Sequence, residues 1–231
     1  MRISRAVGAA AVMAVFTLQG CAGANAAPPP GPAPADRADP GRLAELEALY
    51  AARADSALMR FTEADVHFMT GMIAHHAQAL VMSRLAPTHG ASASVRTLTA
   101  RTINAQDDEI QTMSAWLEAR GRPVPEIHVH GTELMVEGVD HDMAMMPGML
   151  TDAQMRELDA AHGEAYDRLF LTYMIQHHSG AVQMVHDLFA TDGAAQDDSV
   201  FKIASDIQVD QTTEIRRMEL MLEALPGEPR P

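Results

Sequence analysis

An eighteen-residue segment occurs twice in this chain, and it constrains the fold more than any other feature. The first copy, residues 65–82, reads DVHFMTGMIAHHAQALVM, and the second copy, residues 167–184, reads DRLFLTYMIQHHSGAVQM. Nine of the eighteen positions are identical, among them the pairs His75-His76 and His177-His178. A shorter echo follows each copy: Gln106-x-x-Glu109-Ile110-x-x-Met113 and Gln211-x-x-Glu214-Ile215-x-x-Met218. This duplication predicts two equivalent halves that share one core.

Apolar periodicity and capping signals predict helices throughout the folded part. Thr62 is a predicted N-cap, with Asp65 at N3, before the first paired-His helix, and Thr151 and Gln154 predict a capping box before the short helix of the second half. The predicted helices cover about 43–58, 62–85, 94–119, 151 to a break near 163, 164–189 and 199–224. No segment predicts a strand. Four long amphipathic helices in two duplicated hairpins predict an all-α fold, an antiparallel four-helix bundle with short extra helices.

The repeated histidines fall on the predicted core side of their helices. Heptad spacing relates the members of two equivalent sets, Phe68, Met72, His75, Ala79 and Met82 in the first half and Phe170, Met174, His177, Ala181 and Met184 in the second. His76 and His178 lie about 100° further round each helix. The partner helices present two matched faces, Gln106, Glu109 and Met113 and Gln211, Glu214 and Met218.

This pattern favours a site for a metal or another ligand over ordinary core packing. Neighbours can satisfy one buried histidine, but four in matched register, with Gln and Glu, would cost about 1–3 kcal/mol for each unsatisfied group. Imidazole and thioether without thiolate suit copper, especially Cu(I), whereas carboxylate and imidazole suit iron, manganese or zinc. Di-iron bundles use Glu-x-x-His, which does not occur in this chain. The predicted ligands within the helices are His75, His76, His177, His178, Met72, Met82, Met174, Met184, Glu109, Glu214, Gln106, Gln211, Met113 and Met218.

The connector between the halves, residues 121–150, carries further soft ligands. The candidates are His128, His130, His141, Met143, Met145, Met146 and Met149. The composition predicts a loop outside the core, and Cu(I) contact and core packing are both open interpretations of its methionines.

The remaining histidines, His67, His89, His162 and His186, are interpreted as ordinary surface or packing residues. Asp65 and Asp167 lie upstream of the histidine pairs, where carboxylates stabilise helix starts.

The N-terminal residues predict export. Arg2 and Arg5 precede an apolar run from Ala6 to Leu18 that is too short for a permanent membrane helix. The sequence Leu18-Gln19-Gly20-Cys21 resembles a lipobox, which predicts a lipid on Cys21. Cleavage after Ala24-Asn25-Ala26 is the alternative and would give a soluble exported protein. We expect a signal peptide over 1–20, a proline-rich tether over 21–41 and a folded domain over 42–225 with halves of about 42–120 and 151–225.

The paired-His segments, MPGML at 146–150 and the two Gln-x-x-Glu-Ile-x-x-Met stretches resemble the secreted bacterial family called domain of unknown function 305. The resemblance covers about residues 65–222. It implies a ferritin-like bundle, and because some members bind copper and help bacteria to tolerate it, it implies copper binding at His75, His76, His177, His178 and the neighbouring methionines.

Three functions remain open at this point. The leading hypothesis is an exported, lipid-anchored protein on the periplasmic or cell-surface side that sequesters or hands on copper as Cu(I) or Cu(II). A metal-dependent redox enzyme using Glu109 and Glu214 is one alternative, and a ligand-free structural or interaction bundle is the other. The net charge of −14 argues against nucleic acid as a partner and limits membrane association to the lipid anchor.

Overall fold

Six helices and one small sheet make up the described part of the protein. The computed structural model describes residues 39–58, 60–138 and 145–226. In chain order the elements are α1 (Pro40–Leu58), α2 (Glu63–Arg84), α3 (Ala93–Ala119), β1 (Glu126–His130), β2 (Glu133–Glu137), α4 (Asp152–Ala160), α5 (Glu164–Ala190) and α6 (Asp198–Glu223). The predicted signal peptide, Cys21, most of the tether, His141 and Met143 lie outside the described residues.

The chain divides into two compact units, residues 1–46 and residues 47–231. In the first unit the structure describes the start of α1, where a helix was predicted. The second unit contains α2 to α6 and the sheet, and with them all described candidate ligands. None of the helices within the described ranges is long and apolar enough to cross a bilayer.

The helix boundaries agree with the sequence because local caps set them. At the start of α2, Asp65 N–H donates to Thr62 Oγ1 at 3.2 Å, and Thr62 N–H donates to Asp65 Oδ2 at 2.7 Å. Thr151 and Gln154 form the same capping box at the start of α4. Gly163, with φ of 61°, makes the predicted break before α5. The mostly helical fold is therefore confirmed.

The expectation that the connector has no strand was wrong. Strands β1 and β2 pair antiparallel, from Glu126 opposite Glu137 to His130 opposite Glu133. The sequence EIHVH alternates polar and apolar residues with the period of a strand, and in ELMVE burial alternates with the same period although its three central residues are all apolar. Gly131, with φ of 64°, opens the two-residue turn between them.

Helices α2 and α5 pack against each other, α3 packs on α2, and α6 packs on α5. The hydroxyl of Tyr166, near the start of α5, donates to the carbonyl of Met82 near the end of α2 at 3.0 Å. The two paired-His helices are therefore antiparallel.

The buried core of the helices consists of two clusters, which we call the first and second core clusters. The first contains Phe68, Met72, Met113, Ala181, Val185 and Ile207, and the second contains Ala79, Met82, Leu98, Phe170, Met174 and Met218.

Two buried aspartates join the halves. Asp65, besides capping α2, accepts from the N–H of Ala195, just before α6, at 2.6 Å. Asp167 accepts from the N–H of Ser92, the N-cap residue of α3, at 3.1 and 3.2 Å. Each paired-His helix thus fixes the start of the long helix in the opposite half. The assignment of these carboxylates to helix starts is confirmed, although Asp167 serves α3 rather than its own helix.

Candidate metal centre

Four histidines form a buried layer in the middle of the paired-His helices. His75, His76, His177 and His178 are all 0% exposed. Each follows by one turn a methionine of the core clusters, Met72 in the first cluster and Met174 in the second. The prediction that the repeated pairs point into the core is confirmed by this burial. The same register in two antiparallel helices brings the pairs to one level.

On the side of α3 and α6, the halves make the same contact. His76 Nε2 lies 2.7 Å from Glu109 Oε2, and His178 Nε2 lies 2.7 Å from Glu214 Oε2. Thr102 Oγ1 also approaches Glu214 at 3.5 Å. The two glutamates retain partial exposure, 16% for Glu109 and 24% for Glu214, so they connect the buried rings to solvent.

The other two histidines lie against each other. The ring centroids of His75 and His177 are 3.9 Å apart, with the planes tilted by 40°. His75 Nε2 donates to the carbonyl of Pro147 at 3.0 Å. Burial lowers the pKa of His75 to about 3, and the electrostatic effect of the adjacent His76 contributes to the same shift. Burial is also the main cause that lowers the pKa of His177, and the electrostatic effect of the neighbouring His75 adds to it. Both rings are therefore neutral at physiological pH.

Several buried polar atoms of this layer lack a hydrogen-bond partner among the described residues. They are Nδ1 of His75, His76 and His178, both ring nitrogens of His177, both side-chain polar atoms of Gln106, and Gln211 Oε1. For the neutral ring of His75 the tautomer follows from geometry. Its Nε2 faces the carbonyl of Pro147 and carries the proton, so Nδ1 keeps a lone pair. Nε2 of His76 and of His178 faces a glutamate, which leaves Nδ1 of each ring as the buried atom without a partner among the described residues.

The end of the connector closes the layer from one side. Met146 and Met149 are 7% and 9% exposed and pack with Ala74, the residue before His75. The expectation that the connector lies outside the core was therefore wrong for these two methionines. Met145, at 80% exposure, agrees with it.

Two residues that the sequence reasoning missed hold this connector in place. Gln78 Nε2 donates to the carbonyl of Leu150 at 3.0 Å, and Leu150 N–H donates to Gln78 Oε1 at 2.7 Å. Gly180, at the matching position of the second copy, lets the connector touch the backbone of α5. A Cβ on Gly180 would lie 2.0 Å from the carbonyl oxygen of Pro147. The signal was present in the repeat, because positions 78 and 180 are matched but differ sharply in size.

The predicted methionines are divided between the two sides of the histidine layer. Met72 and Met113 belong to the first core cluster, whereas Met82, Met174 and Met218 belong to the second. Met184 is partly buried and packs against the first cluster and the connector methionines. One ion therefore cannot contact all of the predicted thioethers without a large rearrangement.

The described residues contain one group of three His, Cys, Asp or Glu whose ligand atoms all lie within 4.8 Å of one another, and it is on the hairpin. Its members are Glu126, His128 and Glu137, all exposed. The buried histidines do not form such a triple. An ion between them would need a sulfur donor or a shift of a ring. His130 lies on the exposed face of the hairpin, like His128, and neither is in the buried layer.

The other histidines have ordinary roles. His89 hydrogen bonds to the carbonyls of Leu85 and Asp159, each at 2.9 Å, and stacks on His162. His186 Nε2 pairs with Gln208 at 2.9 Å, and His67 is exposed.

Comparison with known proteins identifies the family of this chain. The family model named Domain of unknown function (DUF305) matches residues 65–222, which include both histidine pairs and both glutamates. The chain belongs to the DUF305 family. No curated protein sequence matches the chain significantly.

Solved DUF305 structures share the fold. A DUF305 fragment from Deinococcus radiodurans is 30% identical, with a TM-score of 0.59, and the match covers 71% of this chain and 99% of the fragment. A DUF305 protein from Streptomyces coelicolor, inferred to be secreted, is 27% identical with a TM-score of 0.58 over 73% of this chain and 96% of its own. CopM in its Cu(I)-bound form is 25% identical with a TM-score of 0.54 over 71% and 98%. CopM has also been solved with Cu(II) and with Ag.

Proposed function

We propose that the protein is an exported copper-binding protein that sequesters the ion or hands it on, with the buried histidine layer as its metal site. The observation that supports this most is the set of buried ring nitrogens without partners among the described residues. Metal-binding histidines typically donate their other N–H to a carboxylate or a carbonyl. His76, His178 and His75 do so towards Glu109, Glu214 and Pro147, which leaves Nδ1 of each for an ion.

The soft donors favour Cu(I) on the connector side. His75 and His177 supply two neighbouring imidazoles, and Met146 and Met149, which pack against Ala74 next to His75 in the chain, supply thioether sulfur. Imidazole and thioether together suit Cu(I) better than zinc, iron or manganese. The further candidate ligands, in the two core clusters and on the partner helices, are Met72, Met82, Met113, Met174, Met184, Met218, Gln106 and Gln211.

The solved relatives support the proposal of copper binding. CopM has been solved with Cu(I), Cu(II) and Ag, and Ag is another soft ion. Within this proposal, α2, α3, α5 and α6 form a ferritin-like antiparallel four-helix bundle whose two halves supply one central site. The N-terminal segment directs export, Cys21 carries a lipid, and the proline-rich segment keeps the domain away from the membrane.

The test is an anaerobic Cu(I) titration of the mature protein with equilibrium dialysis and elemental analysis. Two double variants are compared, one with His75 and His76 changed to Ala and one with His177 and His178 changed to Ala. We expect both to lose affinity or stoichiometry by similar amounts, because both pairs line the same layer. His186→Ala is the matched control on α5 and should bind as the unchanged protein does. Circular dichroism verifies that each variant is folded.

The other outcomes separate the alternatives. If one histidine pair proves silent, the site does not use the two halves equally. Failure of any transition metal to bind would favour a ligand-free structural bundle. Steady turnover of a copper or oxygen substrate that depends on Glu109 and Glu214 would favour a redox enzyme.

A further inference from the structure

The exposed face of the β-hairpin gathers chemically active side chains by its register. Glu126, His128 and His130 alternate along β1, and Glu137, Met135 and Glu133 lie opposite them on β2. All six are exposed. They form one face of the sheet because side chains alternate along a strand and cross-strand partners share a face.

The other face of the hairpin fixes its position. Ile127 packs against the first core cluster, and Val136 packs against Met146, Met149 and Ala74. The exposed face is therefore carried by a strand pair that is anchored to the core, and its donors are held on neighbouring strands rather than on a free loop.

Two features of this face point to a cation. Glu126 and Glu137 are direct cross-strand partners, and like charges in that position are destabilising unless something neutralises them. His128 lies beside them, with Nε2 3.9 Å from Glu126 Oε2. One nitrogen and two carboxylate oxygens lie within 4.8 Å of one another. N and O ligands of one tetrahedral zinc ion lie about 3.3–3.6 Å apart, so the three atoms would have to approach one another by about 1 Å, which rotation of exposed side chains allows.

We propose that Glu126, His128 and Glu137 form a second metal site, for a borderline divalent cation of the Zn²⁺ or Cu²⁺ class. Two carboxylates and one imidazole suit such ions and do not suit Cu(I). Met135, the cross-strand partner of His128, lies on the same face as a neighbouring side chain. The site is separate from the buried layer in its residues and in the kind of ion it takes, so it does not depend on the proposed function.

The test uses Zn²⁺ as the probe, because zinc does not change oxidation state and cannot be converted into a soft ion. The mature protein is titrated by calorimetry, and bound zinc is counted after equilibrium dialysis. We expect His128→Ala and Glu137→Gln each to weaken one class of Zn²⁺ sites at least tenfold, or to remove one bound equivalent. Both residues are exposed, so the fold should be unaffected, as circular dichroism can verify.

The matched controls are His130→Ala and Glu133→Gln, which change the same residue types on the same face, in the cross-strand pair nearest the turn. They should leave Zn²⁺ binding unchanged, because these residues do not belong to the three-ligand group. Unchanged binding in His128→Ala and Glu137→Gln would overturn the proposal. An equal loss in the controls would also overturn it, because binding would then reflect the general charge of the hairpin.

Discussion

His177 offers the sharpest test of the idea that the layer is built for a ligand. Its ring is fully buried, and neither nitrogen has a hydrogen-bond partner among the described residues. Each unsatisfied buried group costs about 1–3 kcal/mol. Leucine is apolar and of similar volume, and a change of shape in a packed core costs less than about 1.5 kcal/mol. We therefore expect His177→Leu to raise the free energy of unfolding of the metal-free protein by about 1–2 kcal/mol at pH 7.5.

The gain should increase in mild acid. The pKa of His177 in the folded state lies well below its ordinary value near 6.5, because burial disfavours the charged ring. Below pH 6.5 the unfolded chain therefore binds more protons, and the folded state loses about 1.4 kcal/mol per pH unit for this residue. Between pH 6.5 and 5.0 that loss amounts to about 2 kcal/mol. Leucine does not titrate, so the advantage of the variant at pH 5.0 should exceed its advantage at pH 7.5 by about that amount.

The assay is urea denaturation of chelator-treated protein at both pH values. His178→Leu is the matched control, because it makes the same change one residue further on. His178 pairs with Glu214 at 2.7 Å, so its removal leaves a partly buried carboxylate without its partner and should destabilise the protein. Destabilisation by His177→Leu at both pH values would refute the reasoning, since the His177 side chain would then make a net favourable contribution to the free energy of unfolding. The same variant should also bind Cu(I) less tightly.

Three further predictions concern the connector and the N-terminus. Gly180→Ala should lower the free energy of unfolding, measured by urea denaturation, by at least about 2 kcal/mol, because the added Cβ would overlap the carbonyl of Pro147. An unchanged free energy of unfolding would contradict the close approach of the connector to α5. Peptide mass spectrometry after peroxide treatment should find Met145 oxidised well before Met146, because Met145 is exposed and Met146 is buried, and equal rates would mean that the connector opens. Mass spectrometry of the mature protein should find a lipid on Cys21, whereas an unlipidated start at Ala27 would exclude the anchor.

Helix boundaries could be predicted because the signals that set them are local. Thr62 with Asp65 and Thr151 with Gln154 make their hydrogen bonds within one turn, so the sequence alone contains the whole interaction. The level of the histidine layer could be predicted for a related reason. A duplicated heptad register places equivalent residues at equivalent heights, and burial of all four rings follows from that.

The connector could not be predicted in the same way, because its structure depends on contacts distant in sequence. Met146 and Met149 are buried only because the chain can pass close to Gly180 and is held by Gln78. Nothing within the connector itself reveals either contact. The hairpin is only half marked in the sequence, because EIHVH alternates polar and apolar residues whereas ELMVE has three apolar residues in a row.

The two halves are equal on one side of the histidine layer and unequal on the other. On the side of α3 and α6, duplication gives two His–Glu pairs of the same length. A single connector cannot obey the same symmetry, so the halves meet it differently, through the amide of Gln78 in the first and the bare backbone at Gly180 in the second. Pro147, brought in by this passage, binds His75 and leaves His177 without an equivalent acceptor. The half with glycine at the connector contact therefore holds the ring that has no hydrogen-bond partner on either nitrogen among the described residues.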